Sequence, residues 1–107
     1  MVKNMTNRMN QQDIAKQLQV LNSKIGNKWL LSNDRIKKEF KFADFNEAIN
    51  FMVSVGRHAE ELDHHPEWCN VYNRVSIELT THSAGGITDL DFNLASRIEE
   101  EFNLTRP

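Results

Sequence analysis

The chain is poor in the residues that build specialised scaffolds. It has a single cysteine, Cys69. That excludes an intramolecular disulfide framework and a multi-cysteine zinc site, and a reducing, cytoplasmic setting is the simplest reading. With only 2 prolines and 4 glycines, it shows no repeat, no low-complexity tract and no interdomain linker. No apolar run approaches the ~20 residues that a membrane-spanning helix needs. The opening Met1-Val2-Lys3-Asn4-Met5-Thr6-Asn7 has no apolar stretch behind it, which argues against a signal peptide. What remains is a globular composition: 107 residues, 39% hydrophobic, 26% charged, mean hydropathy -0.59. The length is short for more than one domain and sufficient to bury roughly 65% of the surface of the unfolded chain. Residues 10–107 therefore read as one domain, and residues 1–9 as a polar stretch expected to fray.

Charge of one sign is also scarce. The net charge is -2, but residues 1–57 carry ten Lys/Arg against five Asp/Glu, and residues 58–107 carry three against ten. A uniform nucleic-acid-binding surface is disfavoured by that division. The basic residues Arg35, Lys37, Lys38 and Lys41 offer a small patch, but read better as the solvated face of one strand.

Asn10 caps a first helix with Asp13 in its first turn and Ile14, Leu18 and Leu21 at helical spacing; Gly26 ends that segment. Trp29-Leu30-Leu31 is a short strand, Ser32-Asn33-Asp34 a turn, and Ile36, Lys38, Phe40 and Phe42 alternate with Lys37, Glu39 and Lys41 as a second strand. Asp44 and Glu47 form a capping-box-like start. Ala48, Met52, Val55, Ala59 and Leu62 then fall on one stripe of a long helix, which Pro66 closes. Trp68 to Tyr72 is a third strand, Asn73-Arg74 a tight connection, and Val75, Ile77, Leu79 and Thr81 share one face of a fourth strand. A small, flexible Ser83-Ala84-Gly85-Gly86 connection leads to a last helix, capped by Thr88 with Asp91 and carrying Leu90, Leu94, Ile98 and Phe102 at steps of four. The predicted order is helix, two strands, helix, two strands, helix. That makes an α+β fold with a four-stranded antiparallel sheet and three helices on one face. Its other face is wet or covered by another subunit, and its free edges favour oligomerisation.

Three of the four histidines fall at predicted element ends. His64 and His65 sit where the long helix stops, and His82 where the last strand stops. If the helix packs across the sheet, these ends meet, and Glu60 and Asp63 share the cleft with three imidazoles. Imidazole titrates near neutrality and can both give and take a proton; a neighbouring carboxylate fixes its tautomer and favours its charged form. The competing reading is a His/carboxylate zinc site of His64 or His65 with His82 and Glu60, but no His-Glu-x-x-His spacing is present. His58 reads as a surface or satisfied buried residue, Cys69 as a small core residue, and Trp29 and Trp68 as core, although a flat heterocycle needs such a wall beside its polar contacts.

Glu60-Glu61-Leu62-Asp63-His64-His65-Pro66-Glu67-Trp68, followed by Asn70-Val71-Tyr72-Asn73-Arg74-Val75, resembles the signature of the pterin-4a-carbinolamine dehydratases. So does the continuation through Leu79-Thr80-Thr81-His82 and Gly86-Ile87-Thr88-Asp89-Leu90-Asp91-Phe92-Asn93-Leu94-Ala95. The likeness is densest over residues 58–98. It implies a fold of the kind derived above, assembly as a homodimer or homotetramer, no metal and no organic cofactor. It implies dehydration of a 4a-hydroxytetrahydropterin to the quinonoid dihydropterin, in a recycling pathway linked to aromatic amino acid hydroxylases. By residue, it makes His64, His65 and His82 the acid–base set, with acid and base not divided among them. It has Glu60 and Asp63 orient imidazoles or bind the amino and NH edge of the pterin, and has Pro66, Trp68, Thr81, Ser83 and Ala84 line the pocket. Some animal members carry arginine where this chain has Leu90. Animal relatives also stabilise the dimer of a homeodomain transcription factor. The alternative function is thus a pterin-binding or partner-stabilising role, for which the stripe Leu90, Leu94, Ile98, Phe102 offers a contact, read here rather as a self-association surface.

Overall fold

Two alternating strand pairs, each closed by a tight turn, build the sheet, and three amphipathic helices cover one side of it. The computed structural model describes residues 7–105. In chain order the elements are α1 (Gln11–Asn22), β1 (Leu30–Ser32), β2 (Arg35–Lys41), α2 (Phe45–Leu62), β3 (Glu67–Val71), β4 (Arg74–Leu79), a short 3-10 turn (His82–Ala84) and α3 (Asp89–Thr105). The sheet is antiparallel throughout, in the order β1-β2-β4-β3. The α+β architecture expected from the sequence is the architecture observed.

The register explains which face is dry. Ile36 pairs with Leu79, Lys38 with Ile77 and Phe40 with Val75, and all six side chains are buried against the helices. Trp29, Phe42, Ala48, Phe51, Val55, Ala59, Leu94, Ala95 and Ile98 complete the core. The opposite face carries Arg35, Lys37, Glu39, Arg74, Ser76, Glu78 and Glu67, with several ion pairs among them, beside the exposed Leu30, Val71 and Cys69, the last of which was expected in the core but lies opposite Ser76. Of the α3 stripe, Leu94 and Ile98 are fully buried in the chain's own core, while Leu90 and Phe102 are half-buried.

Lys38 does not join Arg35, Lys37 and Lys41 on the solvated face: it follows the strand alternation onto the apolar face, where it is buried and the fold supplies its counterion. Its Nζ lies 2.5 Å from Glu99 Oε2, which also accepts from Trp29 Nε1 at 2.9 Å. A charge this deeply buried persists only when so paired.

Strand ends shift from expectation by one or two residues, as at Trp29, Ser32, Phe42 and Thr81, and three further boundaries differ for a local reason. Helix α1 stops at Asn22, before Gly26, because the Asn22 side chain turns to the backbone of Trp29, donating to its carbonyl at 3.0 Å and accepting from its N–H at 2.9 Å. The β3–β4 turn is Tyr72-Asn73, with Arg74 already paired to Val71. The Asn70 amide spans this turn by donating to Tyr72 O and Arg74 O, and Asn73 is fastened to Phe42. The supposedly loose Ser83–Gly86 connection is partly ordered as the 3-10 turn, ended by Gly85 at φ 76°, a left-handed position natural to glycine. Of the N-terminal stretch expected to fray, residues 1–6 lie outside the described residues. Met9 N–H donates to Ile87 O at 2.8 Å and the Arg8 guanidinium donates to Gly85 O.

Candidate active site

Each element end that carries a histidine is fixed by a short backbone device. Helix α2 finishes in a Schellman arrangement. Asp63 takes the left-handed conformation (φ 50°), its N–H donates to Glu60 O, and the next N–H, of His64, donates to Ala59 O at 3.0 Å. That reversal turns His64 inward, while His65 faces out. Strand β4 runs out into an isolated bridge between Thr81 and Gly86, and His82 follows at the start of the 3-10 turn. Helix α3 begins with Thr88 and Asp91 closing on one another: Thr88 N–H donates to Asp91 Oδ2 and Leu90 N–H to Thr88 Oγ1.

Asp91 is the residue at which these three ends meet. Its carboxylate is fully buried. Oδ1 lies 2.5 Å from His64 Nε2, and Oδ2 accepts from Thr81 Oγ1 and from Thr88 N–H, both at 2.9 Å. The Thr81 and Thr88 hydroxyls are themselves 2.7 Å apart. The neighbour of His82 and the neighbour of His65 are thereby linked through one carboxylate.

The other two imidazoles are exposed and have carboxylates of their own. His65 Nε2 is 2.6 Å from Glu60 Oε2, and His82 Nε2 is 2.7 Å from Glu67 Oε2. Glu67 is also gripped by Arg35. The Arg35 guanidinium first, and then the His82 imidazole, hold the Glu67 carboxyl below the usual carboxylate range, and the same contact with Glu67 pushes the Arg35 guanidinium further up.

The residues expected at the site are distributed as follows. Thr81 and His64 are joined through Asp91, and Glu60 is joined to His65. Asp63 is exposed and serves the backbone reversal, its carboxylate meeting no imidazole. Pro66 and Trp68 are half-buried, with Trp68 opposite Ile77 and packed against the core. Ser83 is exposed and Ala84 half-buried on the 3-10 turn. No hydrogen bond joins two imidazoles among the described residues. Nor, among them, does any group of three His, Cys, Asp or Glu side chains converge as metal ligands. His58 is occupied elsewhere, 2.8 Å from Glu101. Sequence reasoning missed Asp91 and Glu67 as partners of histidines. The Thr88-x-x-Asp91 pattern marked a helix start, but nothing in its spacing pointed to His64.

Fold and site together define a two-layer α+β protein with three imidazole–carboxylate pairs set around the junction of α2, β4 and α3. The chain belongs to the pterin-4a-carbinolamine dehydratase family: the family model described as "Pterin 4 alpha carbinolamine dehydratase" matches residues 7–101. A Saccharolobus islandicus relative, provisionally named a pterin-4-alpha-carbinolamine dehydratase, is 51% identical over 80 residues, covering 73% of this chain and 81% of its own. A crystal structure from Brucella melitensis, described as a transcriptional coactivator/pterin dehydratase, superposes with a TM-score of 0.81 at 38% identity, covering 89% of this chain and 98% of that one. A pterin dehydratase-like protein described as a RuBisCO assembly factor in the alpha-carboxysome has a TM-score of 0.59 at 18% identity, over 74% of this chain and 92% of that one. At that identity it shares the fold alone.

Proposed function

We propose that the protein dehydrates a 4a-hydroxytetrahydropterin to the quinonoid dihydropterin and water by histidine general acid–base catalysis. One imidazole delivers a proton to the 4a hydroxyl, and the C4a–O bond breaks as water leaves. The proton on N5 passes to a second imidazole, and the C4a=N5 double bond forms. One proton enters and one leaves, so the step needs no oxidant or reductant. Imidazoles are suited to both transfers near neutral pH, each contributing roughly 10²–10⁴-fold.

The observation that carries the reading is the buried Asp91 carboxylate, hydrogen-bonded to His64 and to Thr81. A fully buried carboxylate beside an imidazole fixes which ring nitrogen carries the proton. It also ties the chain that leads to His65 to the chain that leads to His82. Glu60, Asp63 and the backbone from Thr81 to Ala84 are assigned to pterin recognition, with Pro66 and Trp68 as the apolar wall. A partner-stabilising role through the α3 stripe is disfavoured, because Leu94 and Ile98 are occupied in the core.

The test is steady-state dehydration by the single variants His64→Ala, His65→Ala and His82→Ala, each checked for folding. At least two of them are expected to lose on the order of 10²-fold or more in kcat/KM. If His82→Ala dehydrates at the wild-type rate, the assignment of His82 to the acid–base set is wrong.

A further inference from the structure

On the open face of the sheet, two carboxylates are set directly opposite one another. Glu67 of β3 is the cross-strand partner of Glu78 of β4, and like charges at such a pair oppose the pairing. Arg35, the first residue of β2, reaches across both strands. Its Nη1 donates to Glu67 Oε1 and, at 3.3 Å, to Glu78 Oε1, while Lys37 Nζ stands 3.9 Å from Glu78 Oε2. The two oxygens of Glu67 are therefore divided, Oε1 on Arg35 and Oε2 on His82 Nε2 at 2.7 Å. His82 itself is 73% exposed at its side chain, and no other side-chain hydrogen bond to its ring is present among the described residues.

We propose that Arg35 and Glu67 are positioning residues for His82: Arg35 anchors one oxygen of the Glu67 carboxylate so that the other holds the imidazole in a single orientation. This rests on the dehydratase reading given above. Stability is a weak reason for the arrangement, since ion pairs between exposed, flexible side chains contribute little to folding. An exposed imidazole rotates freely unless something fixes it, and a donor misplaced by ~1 Å can lose up to about 10²-fold in rate. A guanidinium suits the task because it presents several N–H donors in a fixed fork and can serve two carboxylates at once. The depressed Glu67 carboxyl is consistent with it, since the group stays ionised and accepting at neutral pH.

The test is a double-mutant cycle between Arg35→Met and His82→Ala, read in kcat and KM for dehydration. It runs with Glu67→Gln as a second entry to the same chain of contacts and with Arg74→Met as a control. Arg74 pairs only distantly with Glu39, at 4.0 Å on the same sheet face. A positioning role predicts that Arg35→Met and Glu67→Gln each lower kcat on the order of tenfold with KM within about twofold. It predicts that Arg35→Met has no further effect once His82 is alanine, and that Arg74→Met leaves kcat unchanged. It also predicts that the ring-nitrogen NMR shifts of His82 move in both Arg35→Met and Glu67→Gln, a signature that loss of fold stability alone does not produce. An active wild type whose Arg35→Met variant keeps its kcat, loses it additively with His82→Ala, or leaves the His82 ring signals in place overturns the positioning role and leaves the dehydratase reading standing. A wild type with no dehydratase activity sinks that reading, and the positioning role with it.

Discussion

Asp63 holds two assignments at once. Its backbone closes α2 in the left-handed region at φ 50°, where glycine is ordinarily preferred, and its carboxylate is assigned to the pterin. Asp63→Gly separates the two. Relief of the left-handed strain is expected to raise stability by about 1 kcal/mol, seen in urea melts, while the dehydration rate falls because the carboxylate is gone. A stabler variant with an unchanged rate would remove Asp63 from substrate recognition. Glu67 gives a second residue-level expectation, in pH. Its folded carboxyl titrates below the ordinary value of 4.5, through Arg35 first and His82 second. The unfolded chain thus binds the proton more readily, and the Glu67 contacts support the fold above that value and cease to do so as pH falls through the lower, folded one. The difference in melting temperature between wild type and Glu67→Gln should be small, largest above pH 4.5 and narrowing as the medium is made more acid; a difference that does not narrow at all below that value would contradict this linkage.

Among the elements, the loop between β4 and α3 depends on a segment far away in sequence. The aliphatic stem of Arg8 lies across Gly86, so a Cβ there would meet Arg8 Cδ at 2.5 Å and Cγ at 2.9 Å. Gly86 in turn exchanges backbone hydrogen bonds with Thr81, whose hydroxyl serves Asp91. Because the exposed Arg8 side chain can swing aside, Gly86→Ala is expected to lower the melting temperature only slightly, and Arg8→Ala in the same chain should remove that loss. Failure of that rescue would mean that Arg8 is not what excludes a side chain at position 86. Such dependences mark the limit of what local pattern reveals. The alternation of Ile36, Lys38 and Phe40 and the stripe Ala48, Val55, Ala59 were legible because periodicity is set by the geometry of one element. The helix starts at Asn10, Asp44 and Thr88 were legible because caps act over three residues. The alternation put Lys38 in line with Ile36 and Phe40, yet its charge argued for the solvated face, because the Glu99 that neutralises it stands 61 residues on. The site divides in the same way. His64, His65 and His82 stood out by their place at element ends, whereas Asp91 stands 27 residues from His64 and Glu67 stands 15 from His82. Those pairings exist only once the sheet has brought the ends together.

At the scale of the whole molecule, the fold does not decide the function. A protein described as a RuBisCO assembly factor shares it at 18% identity, and one framework commonly carries unrelated activities. The dehydratase reading rests instead on three imidazoles, each with its own carboxylate, one of them buried and wired to two elements. The alternatives that bypass those groups have less to stand on. Leu94 and Ile98 of the α3 stripe are spent on the core, and the open sheet face is laced with ion pairs between Arg35, Lys37, Glu67 and Glu78. The most direct measurement is the dehydration rate of a 4a-hydroxytetrahydropterin, generated in a coupled hydroxylase assay, with and without the protein and in the presence of EDTA. A histidine acid–base dehydratase accelerates the loss of water, and the acceleration survives the chelator. No acceleration, with pterin binding still detectable, or an acceleration that EDTA abolishes, would contradict it.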